Sequence, residues 1–434
     1  MSDELPNEKR PSKTLDERFV NRPHTYQRLQ EIADQMDQAI ANGATADEAE
    51  AMAIEQLRKL GGEMLADWAE AKQQQALEQA QSAQPKSIKH IKKKVSWFTT
   101  FGRLELQEQL LRLGRRGPEL RPFCQSAGVR HRGYSKRLQR VVVDFGAEHS
   151  FGKAAQRVQE HYGIEVPVEA VRQYTLRHGR GINQLSAQAV APAQTLVVQM
   201  DGSMIPVVER GGGADGRKGK QLLWREARLC LARASDKTQA LYGATLGSAQ
   251  TAGWMWREVA LKAGLGNRTQ VHGLGDGAPW IVDQFRENFG QQGSYLLDFY
   301  HVSEYLAQAA SRVAGANKQR EWTRRQQARL LSNQHRKVLR SLEGHLEPPN
   351  TQEAPVSAAH RYLTERHDCL DYMSARANKL PIGSGEIESG HRHVIQKRLK
   401  LAGAWWKQTN AQAMLKLRSA RANNQWSQHW INKN

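Results

Sequence analysis

The order of strand-like and helix-like patterns between residues 194 and 302 constrains the fold more than any other feature of this chain. Three strand-like runs come first: QTLVVQMDGSMIPVV, QLLWREARLCLARAS and TQALYGATLG. A helical pattern at 251–263 follows, then the strand-like TQVHGLGDG, the amphipathic PWIVDQFRENF and the strand-like SYLLDFYHV. We therefore predict an α/β fold with the element order β-β-β-α-β-α-β.

This element order is that of an RNase H-like mixed sheet, and it predicts that two aspartates lie side by side. Asp201 falls at the end of the first strand and Asp276 at the end of the fourth, and these two strands are neighbours in such a sheet. Reacting groups of α/β sheets gather where strand ends meet loops. Gly275 and Gly277 would let the backbone turn sharply around Asp276 and leave room for a bulky ligand.

Two carboxylates held a few ångströms apart need a neutralising cation or a shared proton. A pair of Mg²⁺ (or Mn²⁺) ions between Asp201 and Asp276 would meet that need. Such ions also activate the attacking oxygen and stabilise the leaving oxygen of a phosphodiester. The structural alternatives are an ordinary turn at Asp201-Gly202 and a helix N-cap at Asp276. The placement of both aspartates at the ends of neighbouring strands favours the metal site.

The segment LPIGSGEIESGHRHVIQKRLKLAGAWW offers a third carboxylate, because Glu386 and Glu388 lie in the first two turns of a predicted helix. Residues two apart on a helix point to nearly opposite sides, so only one of the two can face the metals. Glu388 shares its helix face with Arg392 and Ile395 and is our choice, with Glu386 as the fallback. The alternative is that both glutamates only complement the helix dipole.

The charge is strongly positive and unevenly distributed. The formal net charge is +19, yet residues 1–85 hold 9 Lys and Arg against 16 Asp and Glu, whereas residues 86–140 hold 15 against 3. The stretch from Ser389 to the last residue has 9 basic residues and no acidic one. These clusters predict a polyanionic partner, although each by itself could be a solvated surface. The candidate DNA contacts in them are Lys92, Lys93, Lys94, Arg392, Lys397, Arg398 and Lys400.

Two further segments have the character of DNA-binding elements. SFGKAAQRVQEHYGIEVPVEAVRQYTLRHG has helix-turn-helix spacing, with Ser150 as a cap, Gly163 and Gly179 as helix ends, and Arg172, Gln173 and Arg177 as contacts on the second helix. Short helical hairpins are common, so a purely structural pair is the alternative. Trp405-Trp406 in the basic tail either stacks on an unpaired base or packs the tail onto the sheet.

The charge pattern and the element pattern together predict four parts. The first is an acidic helical segment at 1–85 that is broken near Asn42-Gly43, and the second is a basic arm and helix-turn-helix region at 86–185 that is irregular over 95–145. The third is a catalytic domain made of residues 190–304 and 379–434, and the fourth is a helical insertion between these two stretches, at 305–378. Cys124, Cys230 and Cys369 are far apart and form no CxxC pair, so we expect neither disulfides nor a zinc site. MSDELPNEKR lacks the apolar run of a signal peptide, and we expect a cytoplasmic protein.

Four motifs in a fixed order resemble the DDE transposases of bacterial insertion sequences. They are DGS at Asp201, GDGAPWI, LLDFYHVSEYL, and IGSGEIES followed by R-x-K-x-x-G-x-WW. The sequence is most similar to the Kra-type group, which is distantly related to Mutator-like transposases, and the resemblance covers about residues 95–425.

The resemblance implies an RNase H-like catalytic domain in which Asp201, Asp276 and Glu388 are both the catalytic residues and the metal ligands. Asp298 and His301 resemble a D-x-x-H element that supports the second aspartate, and a buried Asp–His pair is the structural alternative. Several relatives carry a cysteine-rich zinc module upstream, where this sequence has only Cys124.

The resulting hypothesis is a DNA transposase that cleaves the ends of its element and joins the 3′-OH to target DNA without a covalent protein–DNA intermediate. The expected partners are the terminal inverted repeats and target DNA, with a homo-oligomer assembled on them and no membrane. A structure-specific nuclease of the same fold would share the carboxylates but join no ends. A helix-turn-helix regulator without catalysis would leave the acidic residues unexplained, and the residues of a tyrosine recombinase are not evident.

Overall fold

The computed structural model describes residues 22–185, 190–210 and 219–431. The chain divides into two compact units. One contains the chain up to Phe145 together with Gly152–Val171, and the other contains Gly146–Phe151 and the chain from Arg172 onward. The first 21 residues of the predicted acidic segment lie outside the described residues, and the four-part division remains a prediction.

The first unit begins with two helices, α1 (Pro23–Ala41) and α2 (Ala46–Ala83). They are separated at Asn42 and Gly43, where Gly43 has φ of +69°, so the predicted break is confirmed. Thr45 begins α2 with a capping box: its hydroxyl accepts a hydrogen bond from the backbone N–H of Glu48, and the Glu48 carboxylate accepts one from the backbone N–H of Thr45.

The region predicted to be an irregular basic arm is an antiparallel hairpin of β1 (Ser87–Thr99) and β2 (Gly102–Leu113). The prediction was wrong because the basic residues occupy the exposed positions of β1. Its apolar residues meet those of β2, so that Val95 pairs with Leu106 in a core with residues from α2 and the following helix. The remaining elements of this region are β3 (Glu119–Leu120), α3 (Pro122–Ala127), β4 (Gly133–Tyr134) and α4 (Lys136–Glu148).

The two helices of the predicted helix-turn-helix are present as α5 (Phe151–Tyr162) and α6 (Val168–Gly181). Gly163 follows α5 directly with φ of +61°, as expected for a helix C-terminus. The second helix continues past Gly179 to Gly181. The helical assignment is therefore confirmed, and the DNA contacts of this pair remain a prediction.

The second unit is built on one mixed sheet, and the predicted element order is confirmed. Its five strands are adjacent in the order β7-β6-β5-β8-β9. β6 is antiparallel to both β5 and β7, whereas β8 is parallel to β5 and β9 is parallel to β8. The elements are β5 (Thr195–Arg210), β6 (Lys220–Ala234), β7 (Leu241–Thr245), α7 (Ala249–Ala263), β8 (Gln270–Gly275), α8 (Pro279–Phe289) and β9 (Gly293–Leu297).

Two predicted strand ends are wrong. β5 does not end at Asp201 but continues to Arg210, because β6 is long enough to pair with it over its whole length. The run SYLLDFYHV is a strand only as far as Leu297, because Asp298 caps a helix that begins at Phe299. Alternating or continuous apolar patterns in short runs do not separate a buried strand from the start of a buried helix.

The rest of the unit is helical, including the span predicted as an insertion. A single core cluster joins apolar residues of the sheet with those of the helices up to Ala375, so these helices cover the sheet. The chain then returns in one continuous helical stretch whose middle turn is a π-helix at His391–Gln396. The helices are α9 (Phe299–Val313), α10 (Gln319–Leu331), α11 (His335–Glu343), α12 (Pro355–Glu365), α13 (Tyr372–Ala377), α14 (Gly385–Gly390), α15 (Lys397–Leu399), α16 (Gln408–Ala422) and α17 (Trp426–Ile431).

Candidate active site

Asp201 and Asp276 lie at the same level on adjacent chain segments. β5 and β8 pair in parallel until Gln199 lies opposite Leu274. Each aspartate is two residues beyond that pair, and a Cβ atom at Gly275 would lie 3.5 Å from the carbonyl oxygen of Met200. Asp201 is therefore not at the end of β5 itself but at the point where its parallel neighbour leaves the sheet.

The two glycines around Asp276 have different roles. Gly277 has φ of +73°, a conformation that other residues rarely adopt. Gly275 has an ordinary φ, but a Cβ atom there would lie 2.5 Å from the Tyr295 hydroxyl, so the space beside this glycine belongs to a side chain of the protein and not to a ligand. The Asp276 carboxylate accepts a hydrogen bond of 2.9 Å from the backbone N–H of Ala278. Ala278 is the N-cap of α8, so the N-cap alternative for Asp276 is wrong.

Two buried tyrosines surround the Asp276 segment. The Tyr362 hydroxyl donates a hydrogen bond of 2.5 Å to the backbone carbonyl of Asp276, and Arg366 Nε donates one of 2.7 Å to the carbonyl of Gly277. Burial and, to a smaller degree, the charge of Asp276 hold the pKa of Tyr362 and of Tyr295 well above the ordinary value. Both hydroxyls stay protonated and add no negative charge beside Asp276, and the Tyr362 hydroxyl holds the segment as a donor.

The helix that carries the two candidate glutamates is anchored on β5. The backbone N–H of Ile387 donates a hydrogen bond of 3.0 Å to the side-chain oxygen of the buried Gln199, two residues before Asp201. Glu386 forms an ion pair with Arg233 of β6, whose Nε lies 2.9 Å from both carboxylate oxygens. Glu388 is exposed. The two glutamates thus differ in their surroundings, and only Glu386 is held by a strand residue.

His391 is a residue of this region that no sequence motif singled out. Its ring is 4% exposed, and its Nε2 lies 3.1 Å from Oδ2 of Asp201, close enough for an ion pair but not aligned as a hydrogen bond. His391 begins the π-helical turn, and Glu388 precedes it by three residues. The wider π turn shifts the direction in which the residues after it point, so that Ile395 is buried while Arg392 is exposed. The prediction that both residues share the helix face of Glu388 is therefore wrong. No pattern in the sequence marks a π turn.

Asp298 and His301 do not form a buried Asp–His pair. Asp298 is buried and accepts hydrogen bonds from the backbone N–H groups of Tyr300 and His301, so it is the cap of α9. The imidazole of His301 is half-exposed and lies edge-on to the ring of Tyr362. Asp298 also accepts hydrogen bonds from Ser384, directly before α14. Asp298 therefore fixes the start of α9 and the segment before α14, and a supporting role of Asp298 and His301 in the active site remains a prediction.

The candidate DNA contacts have unequal surroundings. Arg398 is 2% exposed, and its Nε donates a hydrogen bond of 3.2 Å to the carbonyl of Gly146, so its assignment to DNA is wrong. It is buried because the helix face that follows the π turn packs inward. Lys397 is exposed and lies 3.2 Å from Glu148. The exposed candidates are Lys92, Lys93, Lys94, Gln173, Arg177, Arg392, Lys397 and Lys400, and Arg172 is half-buried.

The three lysines of β1 are partly engaged within the hairpin region. Lys93 Nζ lies 2.7 Å from Glu119, and Lys94 forms an ion pair with Glu105. Arg177 in α6 stacks on the ring of Tyr174 with its guanidinium 4.5 Å from the ring centre. Exposed ion pairs of this kind contribute little to stability, so these cations remain accessible to a stronger anion.

The residues that the structure describes contain no ready-made group of three His, Cys, Asp or Glu side chains able to hold a metal ion. Asp201 and Asp276 are nevertheless oxygen donors at one level of the sheet, which is the ligand chemistry of Mg²⁺ and Mn²⁺. Each uses one carboxylate oxygen for a backbone N–H group, that of Gly202 or of Ala278. Asp201 and Asp276 thus supply the type of oxygen donor that such a cation prefers, and their assignment as metal ligands remains a prediction.

Comparison with known proteins gives a match in the C-terminal half of the chain. Residues 249–433 match the model of an uncharacterised protein family, UPF0236. No curated protein matches the chain. Among solved structures, the Drosophila P element transposase strand transfer complex is similar at 9% sequence identity and a TM-score of 0.27, over 71% of this chain and 83% of that chain.

The described helices provide no membrane span, since none is both long enough and apolar enough. Cys124, Cys230 and Cys369 are free thiols. Burial raises the pKa of the Cys124 thiol to about 12, and its neighbour Glu108 adds to this effect. Cys124 is therefore a neutral thiol beside a carboxylate in this structure.

Proposed function

We propose that this chain is a DNA transposase of the DDE type with an RNase H-like catalytic core. The sheet order β7-β6-β5-β8-β9, with only β6 antiparallel to the others, supports this fold assignment. The observation that carries the proposal is the register of β5 and β8, because it brings Asp201 and Asp276, which are 75 positions apart in the sequence, to one level of the sheet.

Asp201, Asp276 and Glu388 would hold two Mg²⁺ or Mn²⁺ ions. When bound, such ions supply an activated oxygen nucleophile and stabilise the leaving oxygen of a phosphodiester. Glu388 is preferred over Glu386 because it is exposed and lies three residues before His391, whose ring contacts Asp201, whereas Glu386 is engaged by Arg233. The Gln199–Ile387 hydrogen bond fixes the start of this helix against β5 and so limits how far Glu388 can move.

The proposed reaction has two steps. Water hydrolyses the phosphodiester at the element end, and the freed 3′-OH then attacks a phosphodiester of target DNA in line, releasing the target 3′ oxygen. The protein orients the strands, and the exposed cations Lys92, Lys93, Lys94, Arg392 and Lys400 would neutralise phosphates along them. α5 and α6 would read the terminal inverted repeats, with the chain acting as a homo-oligomer on DNA.

Incubation of the full chain with a labelled element end, target DNA and Mg²⁺ tests the proposal. Joined products support a transposase, cleavage without joining indicates a nuclease of the same fold, and binding alone indicates a regulator. Asp201→Asn and Asp276→Asn each remove a charge at nearly constant shape, so both should abolish cleavage and joining while binding survives. Asp236→Asn, at an exposed turn after β6, is the matched control. Full activity in either of the first two variants excludes the metal site.

A further inference from the structure

A pocket of about 490 Å³ lies where the loop before α16 meets the far end of β5. The loop is attached to the strand through its backbone: the N–H of Trp406 donates a hydrogen bond of 3.3 Å to the carbonyl of Pro206, and the N–H of Val208 donates one of 2.8 Å to the carbonyl of Trp406. The loop is therefore joined to β5 by a short parallel bridge at the wall of the pocket.

The floor of the pocket is an aromatic and cationic stack. The guanidinium of Arg398 lies 4.6 Å from the ring centre of Phe151 and 4.8 Å from that of Trp406. Arg398 and Trp406 are buried. Burial lowers the pKa of Arg398 to about 10, so it is still charged at neutral pH. Cation–π contact with these two rings stabilises the charge of Arg398 inside the protein, beneath the pocket.

The rim differs from the floor because it is exposed. The indole of Trp405 is 57% exposed at the mouth of the pocket, although large aromatic side chains are generally buried. Lys220, Lys407 and Arg172 also line the pocket. Within the described part of the chain, no acidic residue lines it. A free aromatic face beside cations, without a carboxylate, matches a ligand that has a planar ring and a negative group.

We propose that this pocket binds one unpaired nucleotide of a DNA strand, with the base on the Trp405 ring and its phosphate at Lys220 and Lys407. This proposal rests on the proposed function, since DNA is the substrate there. The pocket has the volume of a small-molecule site and cannot admit a duplex, so the base must leave its partner strand to enter. Stacking on an aromatic ring is tolerant of base identity, whereas the lysines require the phosphate.

The pocket also has a defined distance from the candidate active site. Val208, which lines it, lies seven residues beyond Asp201 on β5. A strand rises about 3.3 Å per residue, so the separation is about 23 Å. At about 3.4 Å per nucleotide of a B-form strand, this distance corresponds to about seven base pairs. We therefore expect the unpaired nucleotide about seven positions from the cleaved phosphodiester.

The test measures binding of the full chain to two duplexes of one sequence, without divalent cation. One duplex is fully paired, and the other carries a single unpaired 2-aminopurine nucleotide. We expect about tenfold tighter binding to the second duplex and quenching of its fluorescence by stacking. Trp405→Ala should remove both effects and leave the affinity for the paired duplex unchanged. Trp254→Ala is the matched control, because Trp254 is an equally exposed tryptophan of α7.

Equal affinity of the unaltered chain for both duplexes would overturn the proposal, as would a preference that survives Trp405→Ala. Displacement of the 2-aminopurine duplex by a free deoxynucleoside monophosphate at a similar concentration would also overturn it, because the pocket would then be a mononucleotide site. The readout needs no cleavage. A chain that captures the unpaired base through Trp405 but neither cuts nor joins DNA would support the pocket and contradict only the transposase proposal.

Discussion

The carboxylate of Asp298 accepts a hydrogen bond of 2.8 Å from the backbone N–H of Ser384, a residue 86 positions further along the chain. The same carboxylate accepts one from the Ser384 hydroxyl and caps α9. The chain thus leaves β9 at Asp298, forms the helices that cover the sheet, and returns to the same carboxylate directly before α14. This contact brings α14, which carries Glu388, back to the end of β9, next to the end of β8 that Asp276 follows.

The first prediction follows from this hydrogen-bonded pair. Ser384→Ala removes one donor to a buried carboxylate and should lower the free energy of unfolding by about 1–3 kcal/mol. Asp298→Ala should cost more, because it also removes the cap of α9 and leaves the N–H groups of Tyr300 and His301 without their acceptor. Chemical denaturation measures both effects. Equal stability of Asp298→Ala and the unaltered chain would show that the pair does not hold the returning segment.

The second prediction separates the two glutamates. Glu388→Gln should abolish strand cleavage with little change in stability, because the side chain is exposed. Glu386→Gln should keep most of the activity but lower the free energy of unfolding by about 1–2 kcal/mol, because Arg233 loses its charged partner in a partly buried place. Cleavage rate and denaturation midpoint are measured for both variants. The reverse pattern would transfer the catalytic role to Glu386.

The third prediction concerns the two adjacent tryptophans. Trp406→Ala should destabilise the second unit by about 3–5 kcal/mol, since it empties a buried site and leaves Arg398 without one side of its aromatic stack. Trp405→Ala should change stability by less than about 0.5 kcal/mol, because its ring is exposed. The melting temperatures of the two variants form a matched comparison. A similar fall in both would place Trp405 in the core as well.

The fourth prediction is a pH dependence. His272 is buried in β8, and burial lowers its pKa from the ordinary value of 6.5, against the opposing effect of its hydrogen bond to the Pro381 carbonyl. The unfolded chain therefore takes up a proton at this residue more readily than the folded one. The stability contributed by neutral His272 is present above pH 6.5 and decreases as the pH falls below it.

Unfolding free energies at about pH 7 and pH 5 test this dependence. His272→Gln keeps a donor for Pro381 but cannot be protonated, so its stability should fall less on acidification than that of the unaltered chain. His345→Gln, at an exposed position, should behave like the unaltered chain. An identical fall in the His272→Gln variant would rule out this residue as the source.

The fifth prediction concerns the three lysines of β1. Replacing Lys92, Lys93 and Lys94 by Gln should lower the affinity for all DNA sequences alike, because phosphates carry no sequence information. The slope of log affinity against log salt should decrease by about 0.9 for each phosphate that the variant no longer neutralises. Lys93 and Lys94 already have carboxylate partners, which compete with a DNA phosphate. Among the three single variants, Lys92→Gln should therefore reduce the slope most. An unchanged slope in the triple variant would show that the hairpin is only solvated.

Local patterns were sufficient for the order of the elements between residues 194 and 302. The order of the elements between residues 194 and 302 and the break at Asn42-Gly43 depend on neighbours close in the chain, and these two predictions are confirmed, whereas two strand ends in that range were wrong. The hairpin of β1 and β2 was not predicted because the contacts that stabilise it join residues far apart in the chain. Its lysines occupy exposed strand positions, and only the packing of Val95 and Leu106 against distant helix residues shows that the segment is ordered.

The sequence by itself determined which residues could carry the chemistry, because residue type, spacing and the glycines around Asp276 are local properties. Only the tertiary structure decided their surroundings, because these depend on contacts between residues far apart in the chain. Tertiary contacts placed His391 against Asp201 through a π turn, engaged Glu386 with Arg233, and turned Arg398 inward while leaving its neighbour Lys397 exposed. A charged residue faces solvent or the core according to the side of the helix that packs, and that side is set by the surface on which the helix packs.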